Sequence, residues 1–343
     1  MLGCSGTVVS SYALGTMTFG DETTAEDSFA QLDTFVEADG TFIDCADVYA
    51  GTRSEEIVGQ WLASRPRDVR DLVVVATKGR FPTGPGPNDV GLSRKHLSAA
   101  LDGSLRRLGV PAIDLYQMHA WDPLTPLEET LSFLDDIQRS GKAHYAGLSN
   151  FIGWQLQKSV DVSGFRGWAK PVTLQQQYNL LARESEWEVI PVCQNEGLGL
   201  LPWSPLGGGW LTGKYRRDAE PAGATRLGEG NRNGFEAYAR RAPRQRTWDV
   251  VGAVQEVARE RGVSPAQVAL AWVHDRPAVT APVLGARTVQ QLKDNLGASG
   301  LHLSAEETRL LDEASAPDAA DYPYGPSGRA QRNRPVLGGR ASP

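Results

Sequence analysis

Short apolar or β-branched runs recur along the chain, separated by longer stretches in which apolar residues return every three or four positions. Such a run suits a strand buried on both faces, and the wider spacing suits a helix with one apolar side. Eight runs qualify: residues 8–17, 41–46, 72–78, 113–119, 143–150, 172–178, 198–205 and 281–286. Between them, residues 24–38, 93–108, 126–139 and 247–261 predict helices, several of them opening on a Ser, Thr or Pro start signal. Strand and helix in alternation imply a parallel sheet lined by helices, and eight strands favour a closed (β/α)8 barrel, the TIM-barrel architecture, over an open sheet.

A chain of 343 residues falls within the range of one such barrel. The pattern therefore predicts a single domain over residues 1–316. An irregular tail rich in Pro, Gly and Arg follows over 317–343. Residues 207–246 are rich in Gly and Arg and poor in apolar periodicity, so they read as a long loop, and loops of that length inside compact domains are usually functional.

Composition narrows the partners. With 41% hydrophobic and 22% charged residues the chain can bury a full core. A net charge of -6 argues against a nucleic-acid partner, which needs concentrated Lys and Arg, so the clustered arginines of the long loop read as a solvated or ligand-clasping face. The opening residues lack the basic flank and apolar core of a secretory signal, and no stretch is long and apolar enough for a bilayer, so a cytoplasmic protein with no membrane partner is expected. Cys4, Cys45 and Cys193 are too scattered to frame a zinc site, and no metal is expected.

In a barrel, catalytic groups gather where strands end at the C-terminal face, so polar residues that close apolar runs are the candidates. Asp44 closes one run with Tyr49 five residues on, Lys78 closes the next, and His119 the one after. A phenol with an ordinary pKa near 10 is a weak acid at neutral pH. A lysine beside it favours the phenolate, and an aspartate holds that lysine in place. A neutral histidine can donate a hydrogen bond to a carbonyl oxygen and polarise it. Tyr49, Lys78, Asp44 and His119 form such a set, with Tyr49, His119 and Trp121 expected to wall the substrate pocket.

This quartet, in this order on successive strand ends, resembles the tetrad of the aldo-keto reductase superfamily. The resemblance runs from Leu2, where residues 2–6 look like the first arm of a short barrel-capping hairpin, to about Ala316. It implies a cofactor cradle of Gly15, Thr16 and Met17 on the first strand, with Asp44 beside them. Ser149, Asn150 and Gln175 are implied to hold the nicotinamide carboxamide, and Trp203 to stack on the ring where many members carry Tyr. Ser204, Pro205, Leu206 and Gly207 would clasp the pyrophosphate. Gly285, Arg287, Gln291 and Asn295 would hold the adenosine end, with Arg287 pairing a 2′-phosphate and so favouring NADPH over NADH. Gly285 and Ala286 stand where some members carry Lys-Ser.

Each feature also has a plainer reading. Asp44 and Tyr49 alone would pass for ordinary polar residues at a strand end, Lys78 for a solvated charge, and His119 for a satisfied core histidine; their combination favours chemistry. His96, His144, His274 and His302 have no comparable placement, and Trp154, Trp168 and Trp210 read as core or rim aromatics. The expected activity is NADPH-dependent reduction of an aldehyde or ketone, Tyr49 supplying the proton. Two alternatives stand beside it: a dedicated biosynthetic ketoreductase acting on a keto sugar or polyketide ketone, and a non-catalytic nicotinamide-nucleotide-binding accessory subunit. The expected partner is a small carbonyl compound, with the oligomeric state left open, a homo-oligomer included.

Overall fold

The computed structural model describes residues 1–222, 225, 227, 228 and 236–332. Eight strands form one parallel sheet: β1 (Ala13–Gly15), β2 (Phe42–Asp44), β3 (Val74–Gly79), β4 (Ile113–Met118), β5 (Ala143–Ser149), β6 (Thr173–Gln177), β7 (Gly199–Trp203) and β8 (Val283–Leu284). Each falls inside or within a residue of one of the eight predicted runs. The order β7-β6-β5-β4-β3-β2-β1-β8 follows the chain and wraps round, and the ring closes where Leu200 N–H donates to Ala278 O and Thr280 N–H to Leu200 O, both at 2.8 Å. This is a (β/α)8 barrel.

The helices are α1 (Ala25–Glu37), α2 (Arg53–Ser64), α3 (Arg67–Leu72), α4 (Arg94–Leu108), α5 (Leu127–Arg139), α6 (Gly153–Arg166), α7 (Val189–Glu196), α8 (Tyr238–Arg241), α9 (Gln245–Arg261), α10 (Pro265–His274), α11 (Val289–Leu296), α12 (Ala305–Ala314) and α13 (Pro326–Arg332). The predicted starts are real caps: the Thr24 and Ser93 side chains accept from the N–H groups of Asp27 and His96. The predicted long loop carries a 3-10 turn, Gly207–Thr212, and the short helix α8; residues 223, 224, 226 and 229–235 of it lie outside the described residues. The tail is less irregular than expected, since α13 forms within it; residues 333–343 lie outside the described residues.

Strand alternation divides the core. Phe42, Ala76, Leu115 and Leu201 point into the barrel, where with Ala13, Val172 and Ala281 they form its floor. Ile43, Val75, Tyr116, Leu148 and Leu174 belong to the larger shell beneath the helices. Leu2, fully buried, plugs the floor. The expected capping hairpin is reduced to a turn in which Leu2 N–H donates to Thr7 O: the next residues carry no ladder, because Ser10 is occupied with Thr41 and Phe42 backbone N–H groups. Two residues on from Ala13, Phe42, Ala76, Leu115 and Leu201, the same inward face holds Gly15, Asp44, Lys78, Gln117 and Trp203, and Gln175 joins them from β6, so the period of two that builds an apolar floor also raises a largely polar layer above it.

Candidate active site

Asp44 ends β2, Lys78 lies one residue before the end of β3, and His119 directly follows β4. Tyr49 opens a tight turn in which Ala50, Gly51 and Thr52 all take positive φ, a strained path that persists only when its surroundings hold it. The four side chains meet. The fully buried Lys78 ammonium donates to Asp44 Oδ2 at 2.7 Å, to Cys45 O at 2.7 Å and to Tyr49 Oη at 3.2 Å, so all three of its protons are placed. The Tyr49 and His119 rings stand edge to face with centroids 5.8 Å apart.

A buried charge must be compensated, and here it is. Burial opposes the Lys78 charge, but Asp44 and the Tyr49 hydroxyl outweigh it and hold the ammonium protonated above its ordinary range. On Tyr49 the balance differs from the sequence-based expectation. Burial pushes the phenol above its ordinary value, and Lys78 offsets only part of that rise, so the phenol stays protonated at neutral pH. His119 is driven well below the usual histidine range by burial, then by Lys78 and Arg80, so the ring is neutral. Its Nδ1 is buried with no partner among the described residues.

Asp44 is held from a second side by two residues. Its Oδ1 accepts from Gln175 Nε2 at 2.8 Å and from Gln117 Nε2 at 3.3 Å. The sequence reading did not single out Gln117; its signal was parity, two residues after inward Leu115 and two before His119. Asn150 adopts φ 56°, its Nδ2 donates to His119 O at 2.9 Å and Ser149 Oγ at 3.0 Å, and its Oδ1 accepts from Trp203 Nε1 at 3.0 Å. Trp203 is thereby fixed across the mouth from the β4 end.

The remaining cradle residues fall into two groups around the same mouth. Thr16 is buried on the Asp44 carbonyl and Ser54, while Met17 is exposed at the rim. Ser204 takes φ 54° with its carbonyl capped by Asn179 Nδ2 at 2.8 Å, and Gly207, Gly208 and Gly209 continue with positive φ. Pro205 and Leu206 lie between them. Beyond β8, Arg287 N–H donates to Gln291 Oε1 at 3.0 Å and Asn295 Nδ2 reaches Gly285 O at 3.4 Å, while Thr18 Oγ1 ties Ala286 O to the β1 end. An Arg287 guanidinium nitrogen lies 3.7 Å from the Glu22 carboxylate.

Trp121 stands at the β4 end, edge-on to Phe151 at 5.3 Å and to Trp154 at 5.4 Å, and Phe81 packs its ring 4.7 Å from His119. Phe81 opens the loop over 81–90 in which the sequence reading expected substrate specificity to lie, whereas Arg80, directly after Lys78 and Gly79, was not singled out. Trp210 is core, as one of its plainer readings had it. Cys4, Cys45 and Cys193 are free thiols, and among the described residues no helix is long and apolar enough to cross a membrane.

The (β/α)8 barrel thus gathers a lysine-bridged Asp–Tyr pair and a neutral histidine at its C-terminal mouth. The Aldo/keto reductase family profile matches residues 12–316, and the chain belongs to that family. It is 38% identical to the uncharacterized oxidoreductase YrpG of Bacillus subtilis over 91% of this chain and 94% of that protein. It is 33% identical to versiconal hemiacetal acetate reductase of Aspergillus parasiticus, over 93% of this chain and 97% of that one. It is also 38% identical to a probable voltage-gated potassium channel subunit beta of Oryza sativa, over 87% of this chain and 89% of the relative. The chain is thus similar to oxidoreductases and to a channel subunit alike.

Proposed function

We propose that the protein reduces an aldehyde or ketone to an alcohol with NADPH, Tyr49 acting as the general acid. The observation that carries this reading is the single ammonium of Lys78 bonded to both Asp44 and Tyr49 opposite a neutral His119. His119 donates to the carbonyl oxygen and aims it. Tyr49 then gives its proton to that oxygen as negative charge develops there, and Lys78 stabilises the phenolate left behind. Asp44, anchored by Gln175 and Gln117, keeps Lys78 charged throughout.

The residues present fit a nicotinamide dinucleotide. Trp203 offers a half-buried aromatic face at the mouth. The run Gly207–Gly209 leaves the loop after β7 without side chains, and a Cβ on Gly285 would meet open space. Ser149, Asn150, Gln175 and Trp203 would hold the nicotinamide end, Ser204 to Gly207 with Gly15, Thr16 and Met17 the middle, and Gly285, Arg287, Gln291 and Asn295 the adenosine end. When bound, the nicotinamide supplies the hydride for the carbonyl carbon. Arg287 is the group that would favour NADPH over NADH. A reducing cytoplasm suits the three free thiols.

Within this reading an aromatic ketone of the polyketide kind is favoured over a keto sugar, because Phe81, Trp121 and Trp154 line the β3 and β4 side of the mouth with rings. The accessory-subunit alternative draws on the channel-subunit relative. It gives no reason for a proton donor and its lysine to be kept together. Monitoring NADPH consumption by the purified protein against a panel of aldehydes and ketones tests the proposal. Turnover is expected, fastest on aryl carbonyls; tight NADPH binding without turnover on any of them favours the accessory subunit.

A further inference from the structure

Arg80 is a cation at the mouth that the mechanism leaves unused. It follows β3 on a loop closed by its own hydrogen bonds: Gly91 N–H donates to Arg80 O at 2.8 Å, and Thr83 N–H to Asp89 O at 3.0 Å. Its guanidinium carbon lies 4.9 Å from the centre of the Phe81 ring, which packs against His119. On its other side it reaches only Trp121 O, at 3.4 Å, and its Nε is buried with no partner among the described residues. The cation is thus set between the Phe81 ring and the Trp121 backbone, close enough to His119 to oppose protonation of that ring.

The nearby carboxylate, Asp122, feels the charge of Arg80 without forming an ion pair with it: against burial, its hydrogen bonds and then Arg80 hold it below the ordinary carboxylate range. Asp122 is committed to the Leu92 N–H at 2.8 Å, the Leu124 N–H at 3.0 Å and Thr125 Oγ1 at 2.7 Å. No carboxylate among the described residues forms an ion pair with Arg80. A guanidinium kept in a fixed loop with unspent donors, in a partly desolvated aromatic cleft, is a fork for a planar oxyanion. We propose that Arg80 receives a carboxylate of the substrate, so that the pocket selects aromatic carbonyl compounds bearing an acid group. This rests on the carbonyl-reductase reading for the reaction, but not for the binding.

The test pairs 4-carboxybenzaldehyde with its uncharged methyl ester. Native protein favours the carboxylate in kcat/KM, and Arg80→Gln lowers the carboxylate-over-ester ratio by about tenfold, the effect of losing one charge-assisted contact. Arg80→Lys retains part of the preference, because it keeps the charge and loses the fork. The same pair is titrated by tryptophan fluorescence on Tyr49→Phe and on Tyr49→Phe with Arg80→Gln, where no turnover is needed. Tighter carboxylate binding that vanishes with Arg80→Gln upholds the inference even if the native protein reduces neither aldehyde, a result that would count against the reductase reading alone. Equal affinity for acid and ester, or a loss shared equally by both, overturns it.

Discussion

The Lys78 ammonium sits 3.2 Å from the Tyr49 hydroxyl oxygen and 4.9 Å from the centre of the same ring, with its other two bonds, both shorter, to Asp44 and the Cys45 carbonyl. One cation therefore couples the acid to the floor of the site. Replacing it breaks a fully buried ion pair and leaves Asp44 with only glutamine donors. Lys78→Met is expected to lower kcat by about 10²-fold or more and to cost about 3–5 kcal/mol of stability. Steady-state kinetics with urea unfolding checks both; loss of activity with stability unchanged would mean that Lys78 and Asp44 are not a buried pair.

Asp47 gives the opposite kind of pH response from a salt-bridged acid. Its carboxyl is buried, and burial, then the charge of Glu55, pushes it up to about 7 against the weaker pull of Arg107 and the Val48 N–H. Unfolded, the group loses its proton near pH 4, while the folded protein keeps it to about pH 7. Stability therefore falls as pH rises through that window, by a few kcal/mol at about 1.4 per pKa unit. Asp47→Asn should abolish that fall, so the variant gains on the native protein between about pH 4 and about pH 7. A constant difference in urea midpoint across the range would contradict the placement.

His119 is expected to stay neutral wherever the protein is folded near neutrality. Its folded pKa lies well below the ordinary value, so its stability contribution is complete above about pH 6.5 and is lost as pH falls below it. Nuclear magnetic resonance of the ring nitrogens should show no titration between about pH 6 and about pH 8. A midpoint inside that interval would mean an imidazolium at the site. His119→Ala should lower kcat more than it weakens cofactor binding.

Arg287 lies close to the Glu22 carboxylate on the adenosine side of the cradle. Arg287→Ala is expected to weaken NADPH by about tenfold more than NADH, through loss of a charge-assisted contact to the extra phosphate. Fluorescence titration with each nucleotide measures it. Equal losses would assign Arg287 to the parts the two nucleotides share.

The architecture was legible because the barrel strands fall on apolar or β-branched runs, and the candidate site because some of these runs close on a polar residue, as with Ile43 before Asp44 and Thr77 before Lys78. The strand ends were less so: the run over 8–17 yields only Ala13–Gly15, since Ser10 serves the β2 backbone through its side chain. The tetrad came from the order of its members. Gln117, Arg80 and Asp47 were not legible because each acquires its meaning across the fold. Gln117 matters through register with β3 and contact with Asp44, Arg80 through the ring of Phe81, and Asp47 through burial beside Glu55.

Tyr49→Phe tests the central claim most directly, because it deletes one oxygen and leaves the cradle of Trp203, Asn150 and Gln175 untouched. Single-turnover reduction of an aryl aldehyde should slow by about 10²–10⁴-fold while the NADPH dissociation constant stays within about twofold. Retained turnover would contradict Tyr49 as the proton donor and with it the proposed role of the Lys78–Tyr49 contact.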